Sequence, residues 1–209
     1  LAGAWIGGAG MSADILSGAR DWVATDLDGT LFSRHWAGAD AVPGTWREVG
    51  GGGSQRDPSS WVRPETHRLL LTLSRAACIV PVTARDEESF SRVAVSGLNL
   101  SGPAILANGA IVLGPNGVQD QEWVVQVSQL LAPWQRRLES LCEVFIQRSS
   151  HAARPRLVQG PTKLPAYLVA KAPDGWWAGA EGAALLAELA VVDTGGCCVA
   201  VLGNELQIL

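Results

Sequence analysis

The 209-residue chain is 47% hydrophobic and 17% charged, enough apolar material to bury roughly 70% of the surface its unfolded form exposes. Sixteen Lys and Arg against twenty Asp and Glu leave a net charge of −4 with no dense basic stretch, which argues against nucleic acid as a partner. No apolar run approaches the roughly 18 residues of a membrane span, which argues against a membrane partner as well.

At about 150 residues per domain the length suits one or two domains. Cys78, Cys142, Cys197 and Cys198 form no CxxC pair and read as free thiols in a reducing, cytoplasmic setting. Residues 1–10 lack the basic start and apolar stretch of a signal peptide, and Met11 reads as the natural start, with no function assigned upstream of it.

In chain order, residues 22–27 are a short apolar run closing on acidic residues and Gly29, which predicts a buried strand opening into a loop. Residues 32–62 are rich in Gly, Pro, Ser and Trp, include a glycine run at 50–53, hold no sustained period, and predict a long irregular excursion. Pro64 then suits the first turn of a helix over residues 66–77, where Leu69, Leu70, Leu73 and Ala76 fall at helical spacing. Residues 78–83 read as a second apolar strand, and the acid-rich stretch 85–88 starts a helix reaching about Val95. Residues 104–107 read as a third strand that turns at Asn108-Gly109 into 110–113, with a further turn at Pro115-Asn116-Gly117. This alternation predicts an α/β fold with a parallel sheet covered on both faces.

From Trp123 the character changes. Residues 124–142 form an amphipathic segment interrupted at Pro133, followed by a strand-like stretch at 144–147. Residues 167–170 read as a strand, 182–190 as a helix, and 198–202 and 205–209 as two strands around Gly203-Asn204. The chain divides on this reading into an α/β core over 11–117 and a smaller α+β unit over 118–209, with no internal repeat.

The segment Asp26-Leu27-Asp28-Gly29-Thr30-Leu31 places two carboxylates just beyond a strand end, where open α/β sheets bind ligands. In a loop the two side chains can turn to opposite sides of one substrate atom. Asp26 suits attack on phosphorus, forming an acyl phosphate, and Asp28 suits protonation of the departing oxygen and later activation of water. Gly29 lets the backbone approach phosphoryl oxygens, and Thr30 adds a donor. Plain turn and cap duty is the alternative reading of the same residues. A calcium loop is excluded, because its twelfth position needs a glutamate and the twelfth residue from Asp26 is Ala37.

This hexapeptide after an apolar strand resembles the first motif of the haloacid dehalogenase superfamily of phosphohydrolases. Val80-Pro81-Val82-Thr83-Ala84-Arg85 is similar to the family's second motif, a strand ending in a Thr or Ser that holds the substrate phosphate. Ala107-Asn108-Gly109-Ala110 is similar to the Asn-Gly turn of the branch that includes sucrose-phosphate and other sugar-phosphate phosphatases and the Cof-type hydrolases. The resemblance implies a Rossmann-like core with a mixed α+β cap, inserted near where the chain changes character. It implies a phosphatase acting on a small phosphorylated metabolite, such as a sugar phosphate, through a phospho-aspartate on Asp26. Magnesium would be held by Asp26 and Asp28, the latter through its backbone carbonyl as well as serving as acid/base. Gly29, Thr30, Thr83, Arg85 and Asn108 would surround the phosphate. Taken alone, Thr83 passes for a helix cap and Asn108 for a hairpin turn; their order behind Asp26 sets them apart.

Two family features are missing: a lysine after the cap, and Gly-Asp followed by a further Asp on a later strand. No Gly-Asp pair occurs, and Lys163 and Lys171 lie too early. A phosphate held against Asp26 without them leaves negative charge poorly compensated. The expectation is a shortened polypeptide or a catalytically deficient phosphate-binding or regulatory module, the alternative to a working phosphatase. A phosphomutase using the same aspartyl chemistry has little support. A core short of its last strands would expose an edge that invites a second copy, giving a homo-oligomer. Among nine tryptophans, Trp36, Trp46, Trp61, Trp176 and Trp177 occupy positions where sugars could stack, though packing is the ordinary use of such rings. His35, His67 and His151 show no metal-ligand spacing.

Overall fold

The computed structural model describes residues 21–35, 38–49, 55–149, 152–191, 198–202 and 205–209. These fall into two compact units. The first runs to Val82 and adds Val93–Ala104 and Leu113–Val118; the second holds Thr83–Arg92, Ile105–Val112 and Gln119–Leu209.

The first unit contains β1 (Asp21–Thr25), β2 (Phe32–Ser33), β3 (Val42–Val49), β4 (Gln55–Val62), α1 (Pro64–Ala76) and β5 (Ala77–Pro81). β1 and β5 pair in parallel, Trp22 opposite Cys78 and Ala24 opposite Val80, with α1 in the crossover. This is the parallel pairing the alternation predicts. β1 is more exposed than its apolar sequence suggests, with Trp22 37% exposed, while β5 is mostly buried. α1 starts on Pro64, whose missing N–H costs nothing in a first turn, carries Glu65 at its start and Arg75 at its end, and buries Leu70. Leu69, also at helical spacing, is exposed.

The predicted irregular excursion is instead a three-stranded antiparallel sheet in the order β2-β4-β3. Register shifts on either side of Thr45 break the alternation that would announce a strand, and Pro58 sits inside β4 opposite Trp46. The sheet is pinned by a buried bond from the Ser60 hydroxyl to the Thr45 hydroxyl at 2.9 Å. Gly44 sits in tight space, since a Cβ there would stand 3.0 Å from the Phe32 ring and 3.3 Å from the Ser60 hydroxyl. The glycine run at 50–53 and Trp36 lie outside the described residues.

The helix expected to reach Val95 is the single turn α2 (Glu87–Phe90). Beyond it, Val93 enters an antiparallel bridge with Thr45, and Ala94 bonds Gly44 and Trp46 through its N–H and carbonyl, so sheet pairing takes the segment from the helix. β6 (Ala104–Leu106) and β7 (Ile111–Leu113) form a two-stranded sheet.

The second unit continues through α3 (Gln121–Leu131), a 3₁₀ turn carrying Pro133, and α4 (Gln135–Arg148). The Asp120 carboxylate accepts from the Trp123 N–H at 2.9 Å and caps α3. The strand expected at 144–147 is the end of α4: Leu138, Leu141 and Phe145 recur at helical spacing, all are buried, and that burial overrides the local β preference. Next come β8 (Arg154–Gln159), β9 (Pro165–Lys171), α5 (Ala180–Val191), β10 (Val199–Leu202) and β11 (Glu205–Ile208). The four strands make an antiparallel sheet in the order β10-β11-β9-β8. A core built from Leu141, Phe145, Leu168, Trp177, Leu185 and Leu206, with further apolar neighbours, joins α4, α5 and this sheet. Each such side chain contributes about 1.5–3 kcal/mol on burial.

Candidate active site

β1 ends at Thr25, and the chain then folds into a tight turn closed by its own backbone. The Leu27 carbonyl accepts from both the Leu31 and Phe32 N–H groups, at 3.0 and 2.8 Å, and the Gly29 N–H donates to the Phe32 carbonyl at 3.0 Å. Leu27 and Phe32 are buried and anchor the turn, leaving Asp26, Asp28, Gly29 and Thr30 exposed. Gly29 has φ +85°, a left-handed backbone that glycine adopts without strain. The Thr30 hydroxyl donates to Asp26 Oδ2 at 2.9 Å, fixing one oxygen of that carboxylate. On the β5 side, the Val82 N–H donates to the Thr25 carbonyl at 2.8 Å, so β5 runs alongside the residue preceding Asp26.

A cleft of about 610 Å³ opens beside this turn. Its walls include Asp28, Thr30, Arg34, His35, Arg63 and Thr66, all in the first unit. The sequence marks none of the last four as site residues, and His35 in particular shows no metal-ligand spacing there. Arg63-Pro64 ahead of a helix and Ser33-Arg34-His35 just after the acidic motif are the signals that mark their neighbourhood, yet only the folding of β2 against β4 brings them to one cleft.

Thr83, Arg85 and Asn108 belong to the second unit and are joined there through the backbone. The Thr83 N–H donates to the Ile105 carbonyl at 2.9 Å, the Ala107 N–H to the Arg85 carbonyl at 2.8 Å, and the Asn108 N–H to the Thr83 carbonyl at 3.3 Å. Thr83 is 5% exposed, and its hydroxyl accepts from the Arg85 N–H at 3.3 Å, a turn-stabilising bond. Asn108 is exposed with φ 54° and ψ 33°, following Ala107 at φ 49°. Asn tolerates the left-handed region through its short polar side chain, whereas Ala107 sits there under strain.

The adjoining Asp86 carboxylate caps α2 through the Ser89 N–H at 2.8 Å and meets Arg156 Nη1 at 2.9 Å. Burial pushes this carboxyl up, but the Ser89 bonds and the Arg156 charge outweigh it and hold it below the ordinary carboxylate value. The Tyr167 hydroxyl donates to the Ala84 carbonyl, and burial pushes the phenol well above its usual range, with Arg156 opposing the shift and Glu205 and Asp86 adding to it.

No group of three or more His, Cys, Asp or Glu that could hold a metal occurs among the described residues. The acidic motif offers a smaller, all-oxygen set of two exposed aspartates, which suits a hard divalent ion such as magnesium that keeps several waters. The described tryptophans differ in setting: Trp22, Trp123 and Trp134 are exposed, and Trp46, Trp61 and Trp176 are half-buried. Trp177 is buried and meets Trp176 edge-on at 4.8 Å, Trp176 Nε1 donates to Glu181, and Trp46 Nε1 donates to the Ala94 carbonyl. His67 Nε2 donates to the Ser96 carbonyl at 2.7 Å, while His151 and Cys197 lie outside the described residues. Cys78, Cys142 and Cys198 are free thiols. Among the described residues no helix is long and apolar enough to cross a membrane.

No family model matches the chain, and no curated protein matches it. Solved structures do. A trehalose-6-phosphate phosphatase related protein aligns at TM-score 0.47 and 13% identity over 91% of this chain and 67% of its own. Two crystal forms of Aspergillus fumigatus trehalose-6-phosphate phosphatase align at TM-scores 0.39 and 0.36, with 11% and 14% identity, over 90% of this chain and 60% of theirs. The chain therefore spans about two thirds or less of the length of these structures. At such scores and identities the likeness assigns no activity.

Proposed function

We propose that the chain is a magnesium-dependent phosphatase of the haloacid dehalogenase type, acting on a small phosphorylated metabolite such as a sugar phosphate. The observation that carries this reading is the turn after β1, where the Thr30 hydroxyl bonds Asp26 Oδ2 at 2.9 Å and Gly29 takes a left-handed backbone. The architecture that goes with this proposal is a Rossmann-like core and an α+β cap, divided by the sequence near residue 118, whereas the two compact units interleave, Thr83–Arg92 and Ile105–Val112 grouping with Gln119–Leu209.

In the proposed reaction an Asp26 oxygen attacks phosphorus as the bond to the leaving oxygen breaks, and the Asp28 carboxylic acid gives its proton to that oxygen. Asp28, now a carboxylate, takes a proton from water. The water oxygen attacks the phosphorus of the acyl phosphate, releasing inorganic phosphate and restoring the Asp26 carboxylate. Gly29 offers the phosphate a close backbone, while the Thr30 hydroxyl, whose one proton goes to Asp26 Oδ2, holds the nucleophile. Asp26 and Asp28 would hold magnesium, which lowers the repulsion between carboxylate and phosphate dianion.

The test is phosphate release from a panel of sugar phosphates, with and without magnesium, for the native chain and Asp26→Asn. Release that requires magnesium and disappears in Asp26→Asn is expected; equal rates in the two proteins overturn the assignment. The absence of any Gly-Asp pair favours a second reading, a phosphate-binding module without turnover. Calorimetric binding of phosphate and magnesium with no hydrolysis of any panel member would select it.

A further inference from the structure

The cleft beside the acidic turn has a charge the phosphatase reading leaves unused. Asp28 is the one carboxylate among its described lining residues, which also include the guanidinium residues Arg34 and Arg63, the imidazole residue His35 and the hydroxyl residue Thr66. Neither Arg34 nor Arg63 has a carboxylate partner among the described residues, in a chain that carries a net charge of −4. An arginine guanidinium grips carboxylate or phosphate oxygens in two-point fashion through its planar fork of N–H donors. A volume of about 610 Å³ lies within the range of small-ligand clefts.

Resting on the reading in which Asp28 protonates the leaving oxygen, the space beyond Asp28 is where the leaving group goes. Asp28, the proposed proton donor to that group, lines the cleft together with Arg34 and Arg63, whereas Asp26 is not among the described lining residues. We propose that Arg34 and Arg63 bind an acidic leaving group, so that the substrates are phosphomonoesters whose alcohol carries a second anion, a carboxylate or another phosphate. A neutral sugar phosphate would offer the two guanidinium groups no anion besides the phosphate being transferred.

The test uses the Asp26→Asn chain, in which binding is free of turnover. Calorimetry compares phosphogluconate with glucose phosphate, and fructose bisphosphate with fructose phosphate. The doubly acidic member of at least one pair is expected to bind about tenfold tighter. The pair with the larger gap identifies carboxylate or phosphate as the second group. Adding Arg34→Ala or Arg63→Ala should remove most of that gap, Arg63→Lys should keep part of it, and Arg68→Ala on the exposed face of α1 should keep all of it. Rising salt should narrow the gap in the chain carrying both arginines, a reading that does not depend on how well the alanine variants fold. Equal affinities within both pairs, a gap indifferent to salt, or one that survives both alanine substitutions overturns the proposal. Phosphate release by the native chain is measured separately: release lost in Asp26→Asn beside equal affinities rejects the acidic leaving group alone, whereas release unchanged in Asp26→Asn rejects the phosphatase reading.

Discussion

Arg156 Nη1 stands 2.9 Å from Asp86 Oδ2, while Oδ1 of the same carboxylate receives the Ser89 N–H at 2.8 Å. One side chain thereby caps α2 and ties β8 to the turn that holds Thr83 and Arg85. Because the folded carboxyl sits below its ordinary value, its contribution is complete above about pH 4 and is lost as pH falls through the lower folded value. Urea unfolding between neutral and acid pH should show stability dropping in that window, and Asp86→Asn should flatten the drop. Asp86→Ala, losing cap and ion pair together, should cost about 2 kcal/mol, and Arg156→Ala about 1 kcal/mol because its side chain is half exposed.

Tyr167 is the single tyrosine of the chain, so ultraviolet titration of tyrosinate reports it alone. With its phenol buried and donating to the Ala84 carbonyl, no tyrosinate should form near the ordinary value of about 10 while the protein remains folded. The raised folded value leaves stability unaffected below that pH and erodes it above, as the unfolded phenol ionises. Tyr167→Phe should remove the alkaline dependence and cost about 1–2 kcal/mol by stripping a donor from the Ala84 carbonyl.

Thr30→Val removes the hydroxyl that orients Asp26 and little else, since Thr30 is exposed. On the proposed mechanism the expected result is a fall in kcat of about tenfold with a small change in KM, and a stability change within about 0.5 kcal/mol. Steady-state kinetics beside a denaturation curve separates this from general loss of structure.

Gly182 lies in α5, where helix propensity alone favours alanine by about 1 kcal/mol. A Cβ there would meet the Trp176 carbonyl and stand 2.6 Å from the Trp177 Cα, backbone that cannot step aside cheaply. Gly182→Ala is therefore expected to destabilise by about 2 kcal/mol or more, with tryptophan fluorescence following the unfolding.

What the sequence made legible follows how local each feature is. The β1, α1 and β5 succession could be read because Pro64 marks a helix start and the flanking runs are continuously apolar. β3 and β4 could not, because their bulges and prolines disguise a strand whose pairing is visible only across the sheet. The Val144, Phe145 and Ile146 run misleads for the opposite reason: its β preference is local, while the burial of Phe145 against the second unit's core is not. In the candidate site, the turn from Asp26 to Phe32 could be read because seven consecutive residues supply all of it. Thr83, Arg85 and Asn108 stood out only through family resemblance, since backbone bonds spanning more than twenty residues hold them together. Arg34 and Arg63, nearly thirty positions apart, carry no mark in the sequence that would connect them.

The Leu27 carbonyl, taking two N–H groups from within five residues, makes the acidic turn self-contained. What it asks of the rest of the chain is an apolar bed for Leu27 and Phe32. Such a unit leans little on distant parts of the chain: its backbone closure and the alignment of Asp26 with Thr30 are made by bonds among residues 26 to 32.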